Sequence, residues 1–177
     1  YFFSFDNKKL FYEYFLCENA IANIVIVHGL SEFTKKFYEV AYYFLQMGYN
    51  VFMFDQRCHG LSQRLTCEKD LLHVDKCSDY VSDLDTFIDQ IVLTTQNKPL
   101  YIYSHSMGGA ITILYLETHK NIQKAVLSAP LFEPVIGVVS PAVARIGIGI
   151  ASVFINKKQL QVESGKWQVS GPAVSIV

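Results

Sequence analysis

Ser106 stands in the stretch Tyr101 to His119, YIYSHSMGGAITILYLETH, where a strand-like run meets a tight turn and then an apolar helical segment. A serine at such a junction is lifted clear of the backbone by a strained turn. Its neighbours must be small, because the helix packs close behind. The turn reads Ser104-His105-Ser106-Met107-Gly108, followed by Gly109. Ser104 takes the place of the first glycine in the usual G-x-S-x-G pattern and is small enough to fit, while Gly108 and Gly109 keep the other side open. The chemistry on offer is attack of a hydroxyl on a carbonyl, which needs a base for the proton and N–H groups for the developing oxyanion. A serine serving only as a helix cap is the plainer alternative.

A second segment fits the same chemistry. His28-Gly29-Leu30-Ser31-Glu32 follows a buried strand, and the Leu30 N–H there is placed to join the Met107 N–H in an oxyanion hole. His28 lies on the strand-end turn, upstream of the serine, and reads as a structural or oxyanion-loop histidine rather than a base. The loop from Asp55 to Ser62, DQRCHGLS, reads as structural too. Gly60 permits its turn, and Ser62 or Asp55 can take up loose backbone N–H groups.

The elements that must position these groups alternate between strand and helix. YFFSFDNKKLFYEYFL flanks the polar cluster Asp6 to Lys9 with aromatic residues, as an antiparallel hairpin does. IANIVIVHG is a short β-branched run ending in glycine, the mark of a strand buried on both faces. Apolar positions at spacings of three and four predict a helix over Thr34 to Met47, stopped by Gly48, and YNVFMFD is the next strand. Ser78 is the expected cap of a second helix with Asp79 in its first turn, Val81, Leu84, Ile88 and Ile91 on one face, and Asp83, Asp85 and Asp89 on the polar face. KAVLSAP follows the serine's helix as another buried strand. The expected fold is α/β, a mostly parallel sheet with helices on both faces and an antiparallel hairpin first.

Val135 to Ile155 is almost wholly apolar and long enough to raise a transmembrane reading. Pro141, Arg145, three glycines and the lack of anchoring flanks argue against it. An ordinary core helix and a lipid-facing cap over the site both fit. The expected organisation is therefore residues 1–134 as the N-terminal part of the core and 135–177 as an incomplete apolar cap.

From Ile21 to Pro130, VHGLSEFTKKFYEVAYYFLQMGYNVFMFDQRCHGLSQ and SHSMGGAITILYLE resemble the α/β-hydrolase superfamily in order and spacing. Within it they are most similar to the monoacylglycerol lipase and lysophospholipase group, which is also grouped with the serine aminopeptidases. The resemblance implies Ser106 as nucleophile, the N–H groups of Leu30 and Met107 as the oxyanion hole, and Asp55 to Ser62 as the loop with the D-x-R-x-x-G-x-S pattern. It further implies a triad in chain order Ser, then Asp or Glu, then His.

That order fails here. Beyond Ser106 the only carboxylates are Glu117, Glu133 and Glu163, and the only histidine is His119. His119 lies thirteen residues on along the serine's own helix, roughly 17 Å or more away at about 1.5 Å per residue. Glu133 falls near the catalytic edge but has no histidine after it to orient. The expectation is an N-terminal portion of a longer enzyme whose acid and base lie outside these 177 residues.

The expected activity is hydrolysis of a lipid carboxylic ester through an acyl-enzyme, the apolar cap segment suiting a long acyl chain. An aminopeptidase-like hydrolase and a non-catalytic protein holding an acyl ligand or a partner are the alternatives. With 51% hydrophobic residues, 18% charged residues and a net charge of −1, the sequence carries no basic footprint for nucleic acid. Cys17, Cys58, Cys67 and Cys77 show no zinc-ligand spacing and suit a reducing compartment. No metal or organic cofactor is expected. No signal peptide is legible, so the expected location is cytoplasmic, with peripheral membrane contact through the cap.

Overall fold

A computed structural model describes residues 1–66 and 72–131. The expected cap, 135–177, and the expected division of the chain at residue 134 lie outside the described residues. Strands β1 (Phe2–Phe3) and β2 (Lys9–Leu10) form a small antiparallel hairpin of their own. The chain then enters the main sheet at β3 (Tyr12–Phe15), which pairs antiparallel with β5 (Tyr49–Phe54). Strands β4 (Ala22–Val27), β6 (Leu100–His105) and β7 (Lys124–Ser128) complete a sheet of order β3-β5-β4-β6-β7, parallel apart from β3. The hairpin reading holds, with one refinement. The aromatic run after Lys9 serves two sheets, bending at Phe11, whose carbonyl accepts the Asp55 N–H at 2.9 Å.

All six residues of β4 are buried, as its apolar run, broken only by Asn23, requires of a strand covered on both faces. One face packs Val25, Val27, Phe52, Phe54 and Ile102 against Leu84, Phe87 and Ile88. The other packs Ile24, Ile26, Val51 and Met53 against Phe37 and Ala41. Near the N-terminal ends of these strands, Asn23 and Asn50 are both fully buried. Asn50 Nδ2 donates to Asn23 Oδ1 at 2.9 Å, Asn23 Nδ2 to the Gln96 carbonyl at 2.7 Å, and the Cys17 N–H to Asn50 Oδ1 at 2.9 Å. Every polar atom of the buried pair that this chain reaches is thus matched donor to acceptor.

The first helix opens with a 3-10 turn, Thr34–Phe37, before α1 (Tyr38–Gln46), and Gly48 with φ +83° ends it as expected. The second helix departs from expectation at two places. It begins at Cys77, two residues early, because the chain arrives extended at Lys76 (φ −143°), so Ser78 is inside α2 (Cys77–Phe87) and caps nothing. Asp83 is not on the solvent face but fully buried. The reason is Arg57, whose guanidinium meets it from the loop after β5 with Nε at 2.6 Å from Oδ2 and Nη2 at 2.7 Å from Oδ1. Asp85 is half-buried and Asp89 exposed, as expected. The helix widens to a π turn at Ile88–Val92 and ends in α3 (Leu93–Thr95), ahead of β6 and α4 (Met107–Thr118).

Candidate active site

Ser106 joins β6 to α4 with φ +50° and ψ −118°, a conformation that side chains rarely adopt. Its neighbours hold it there. The Ser106 N–H donates to the Ser128 carbonyl at 3.0 Å, and the Ser106 carbonyl accepts the N–H groups of Gly109 and Leu131, each at 2.9 Å. The turn is thus tied to the chain leaving β7. Close approach explains the two glycines after it. A Cβ on Gly108 would lie 2.2 Å from the Val27 carbonyl oxygen, and one on Gly109 would lie 2.6 Å from Pro130 Cβ. Ser104 is fully buried, its hydroxyl 3.4 Å from the Val126 carbonyl, so a small polar side chain fills the place of a glycine. His105 is half-buried with Nδ1 3.3 Å from Ser128 Oγ and its ring 6.5 Å from that of Phe37.

The His28–Glu32 segment packs directly on this turn, since a Cβ on Gly29 would lie 2.9 Å from Ser106 Cβ. Gly29 donates its N–H to Glu32 Oε2 at 2.7 Å. Among the described residues the N–H groups of Leu30 and Met107, and the Ser106 hydroxyl, have no hydrogen-bond partner. Glu32 was not legible as a site residue. An acid three residues after a glycine in a turn is the signal that could have found it, being the spacing at which a carboxylate reaches back to a free backbone N–H.

His28 is buried, with Nδ1 at 2.8 Å from the Gly29 carbonyl and Nε2 accepting the Gln56 N–H at 3.0 Å. Burial, then the neighbouring His59 and Lys36, push its pKa down to about 3. It is a neutral structural group with both nitrogens engaged. His59 is likewise buried, donating from Nδ1 to the Arg57 carbonyl at 2.9 Å, and burial lowers its pKa. His119 caps the far end of α4, stacked on Tyr115 at 4.0 Å, with Nε2 at 3.1 Å from Asp85 Oδ1 on α2. The loop from Asp55 to Ser62 has the structural role its sequence suggests. Asp55 accepts the N–H groups of Thr34 at 2.7 Å and Leu61 at 2.8 Å, Ser62 Oγ bonds the Asp55 carbonyl, and Gly60 turns with φ +48°.

The serine aminopeptidase S33 description matches residues 18–175. The chain belongs to that family of α/β hydrolases. Lysophospholipase L2 of Escherichia coli is 40% identical over 114 residues, 64% of this chain and 34% of that protein. Monoglyceride lipase of Saccharomyces cerevisiae is 30% identical over 139 residues, 72% of this chain and 42% of that protein. A soluble variant of the yeast monoglyceride lipase, solved with a substrate analogue, superposes with a TM-score of 0.67 at 25% identity, over 85% of this chain and 50% of that one. The chain therefore spans half or less of the length of these relatives. Among the described residues, no helix is long and apolar enough to cross a membrane.

Proposed function

We propose that Ser106 is the nucleophile of a hydrolase that cleaves the carboxylic ester of a lipid with one acyl chain, a monoacylglycerol or a lysophospholipid, through an acyl-enzyme. The observation that carries this reading is the backbone of Ser106. A residue other than glycine at φ +50° between a strand and a helix is a cost that a cap would not require. The names of the relatives support the substrate class.

In the reaction, Ser106 Oγ attacks the ester carbonyl and its proton passes to a base. The charge on the carbonyl oxygen is received by the N–H groups of Leu30 and Met107, and the alcohol leaves with a proton. Water then releases the acid. None of the five histidines, His28, His59, His73, His105 and His119, bonds to Ser106, and we assign the base and its acid partner to the part of the family's length that this chain does not span. A peptidase reading would require a free carboxylate for an amino terminus. The carboxylate packed against the oxyanion loop, Glu32, is already held by the Gly29 N–H.

The test is labelling by a fluorophosphonate together with hydrolysis of a monoacylglycerol and a lysophospholipid by the complete protein and its Ser106→Ala variant. Labelling and turnover that both vanish in Ser106→Ala are expected. A complete protein that hydrolyses neither lipid, or a variant that still labels, would defeat the reading.

A further inference from the structure

The amide assigned to receive the oxyanion, that of Leu30, belongs to the same planar peptide unit as the Gly29 carbonyl. In a trans peptide the two point in opposite directions, and no cis bond occurs among the described residues. Whatever holds the Gly29 carbonyl therefore aims the Leu30 N–H. Glycine offers no Cβ to resist rotation of that plane, so hydrogen bonds must fix it.

The His28 ring and the Glu32 backbone N–H do so, while the Glu32 carboxylate fixes the adjoining His28–Gly29 peptide. His28 Nε2 accepts the Gln56 N–H at 3.0 Å, which leaves the hydrogen on Nδ1, 2.8 Å from the Gly29 carbonyl oxygen. The imidazole thus connects the loop after β5 to one carbonyl. Glu32 takes the Gly29 N–H on Oε2 at 2.7 Å, and its own N–H closes on the same carbonyl at 3.4 Å. With Glu32 Oε2 at 2.8 Å and Ser106 Cβ at 2.9 Å from the place of a Gly29 Cβ, the clamp and the nucleophile's turn enclose one glycine.

We infer that His28 is a positioning residue for the reaction, its Nδ1–H acting with Glu32 to fix the Gly29–Leu30 peptide so that the Leu30 N–H serves as an oxyanion donor. The inference rests on the reading of Ser106 as the nucleophile. Without the clamp the peptide turns over and presents a carbonyl oxygen where the oxyanion must form. The low pKa of His28 is consistent with this duty, because a protonated ring would lose its hydrogen bond from Gln56.

The experiment uses the complete protein with His28→Gln, whose amide is carried at the Nε2 position and cannot reach the Gly29 carbonyl, and His28→Asn, whose amide N–H can stand near Nδ1. Active sites are counted by fluorophosphonate labelling to completion. Then kcat per labelled site, KM and the affinity for a trifluoromethyl ketone, which forms a tetrahedral adduct, are measured. For His28→Gln we expect kcat per labelled site to fall by about 10²-fold, the scale of one lost oxyanion donor. Ketone affinity should fall in parallel with little change in KM, and His28→Asn should recover most of the loss. A His28→Gln protein with fewer labelled sites but wild-type kcat at each would reduce His28 to a folding role and overturn the inference, as would an Asn variant no better than Gln. If His28→Gln yields no folded protein, Glu32→Ala carries the same test from the exposed side. A loss per labelled site that Glu32→Gln restores supports the clamp, and an unchanged value overturns it. A wild-type protein that neither labels nor turns over removes the reading of Ser106, and the inference falls with it.

Discussion

Arg57 and Asp83 meet in the interior through two parallel hydrogen bonds, and both side chains are closed to solvent. Burial raises the Asp83 carboxyl, the hydrogen bonds from Arg57 and the Ser4 hydroxyl oppose that rise, and contact with Asp83 raises the Arg57 pKa against the effect of burial. Asp6 and Asp79, at 3.2 and 3.4 Å from the same guanidinium, bring the hairpin turn and the start of α2 to one point behind the Asp55 loop. Removing one partner leaves a buried charge without its counterion. Asp83→Ala is expected to destabilise the fold by about 3–5 kcal/mol, read as a fall in the urea midpoint. Replacing Arg57 by Met as well should recover part of that loss, and an additive double variant would show the two not to be coupled.

The strain at Ser106 is measurable apart from catalysis. Ser106→Gly and Ser106→Ala both remove the hydroxyl, but only glycine occupies φ +50° freely. The glycine variant should be the more stable of the two by about 1 kcal/mol, after the entropy it adds to the unfolded chain. In a protein of this size that corresponds to roughly 2–4 °C in Tm. Equal Tm values would mean that the turn is not strained.

Acid should unfold the protein earlier than its carboxylates alone dictate. His28 titrates at about 3 in the fold against 6.5 in the unfolded chain, chiefly because it is buried. As the pH falls below 6.5, the unfolded chain therefore binds a proton that the fold refuses. The His28 contribution to stability is intact above pH 6.5 and is lost at about 1.4 kcal/mol per pH unit down to about 3. His59, lowered by burial in the same direction, adds to the slope. Urea midpoints at pH 7 and pH 5 should differ accordingly, and His28→Gln should flatten its share. A pH-independent midpoint over that interval would contradict the buried neutral state.

His119 lies at the wrong end of α4 to act on Ser106, bound to Asp85 instead. His119→Asn is expected to leave fluorophosphonate labelling unchanged and to cost less than about 1 kcal/mol, as for other partly exposed pairs. Loss of labelling would place the base on α4.

What the sequence made legible followed from local rules. The β-branched run of β4, the stop at Gly48, the glycines behind Ser106 and the Asp55 to Ser62 turn all stand where composition and spacing put them. What it concealed depended on partners distant in the chain. Asp83 falls on the polar face of α2 by periodicity, and only Arg57, 26 residues upstream, draws it inside. Ser78 reads as a cap until the extended approach at Lys76 moves the helix start. Glu32 is betrayed only by its spacing from Gly29, because the glycine amide it serves becomes visible as a donor in need of a partner only once the turn is folded.

The buried amides of Asn23 and Asn50 bear on how the sheet is assembled. Strands apolar on both faces have no inside and outside to distinguish, so β4 and β5 could slide along one another with little change in hydrophobic burial. A slip of one residue would separate the two asparagines and leave their polar atoms unsatisfied in the interior, at about 1–3 kcal/mol each. The pair therefore works as a proofreading mark during folding. Substituting both by valine should make β4 and β5 wholly apolar at those positions while making the chain slower to settle on one alignment and more prone to misassembly.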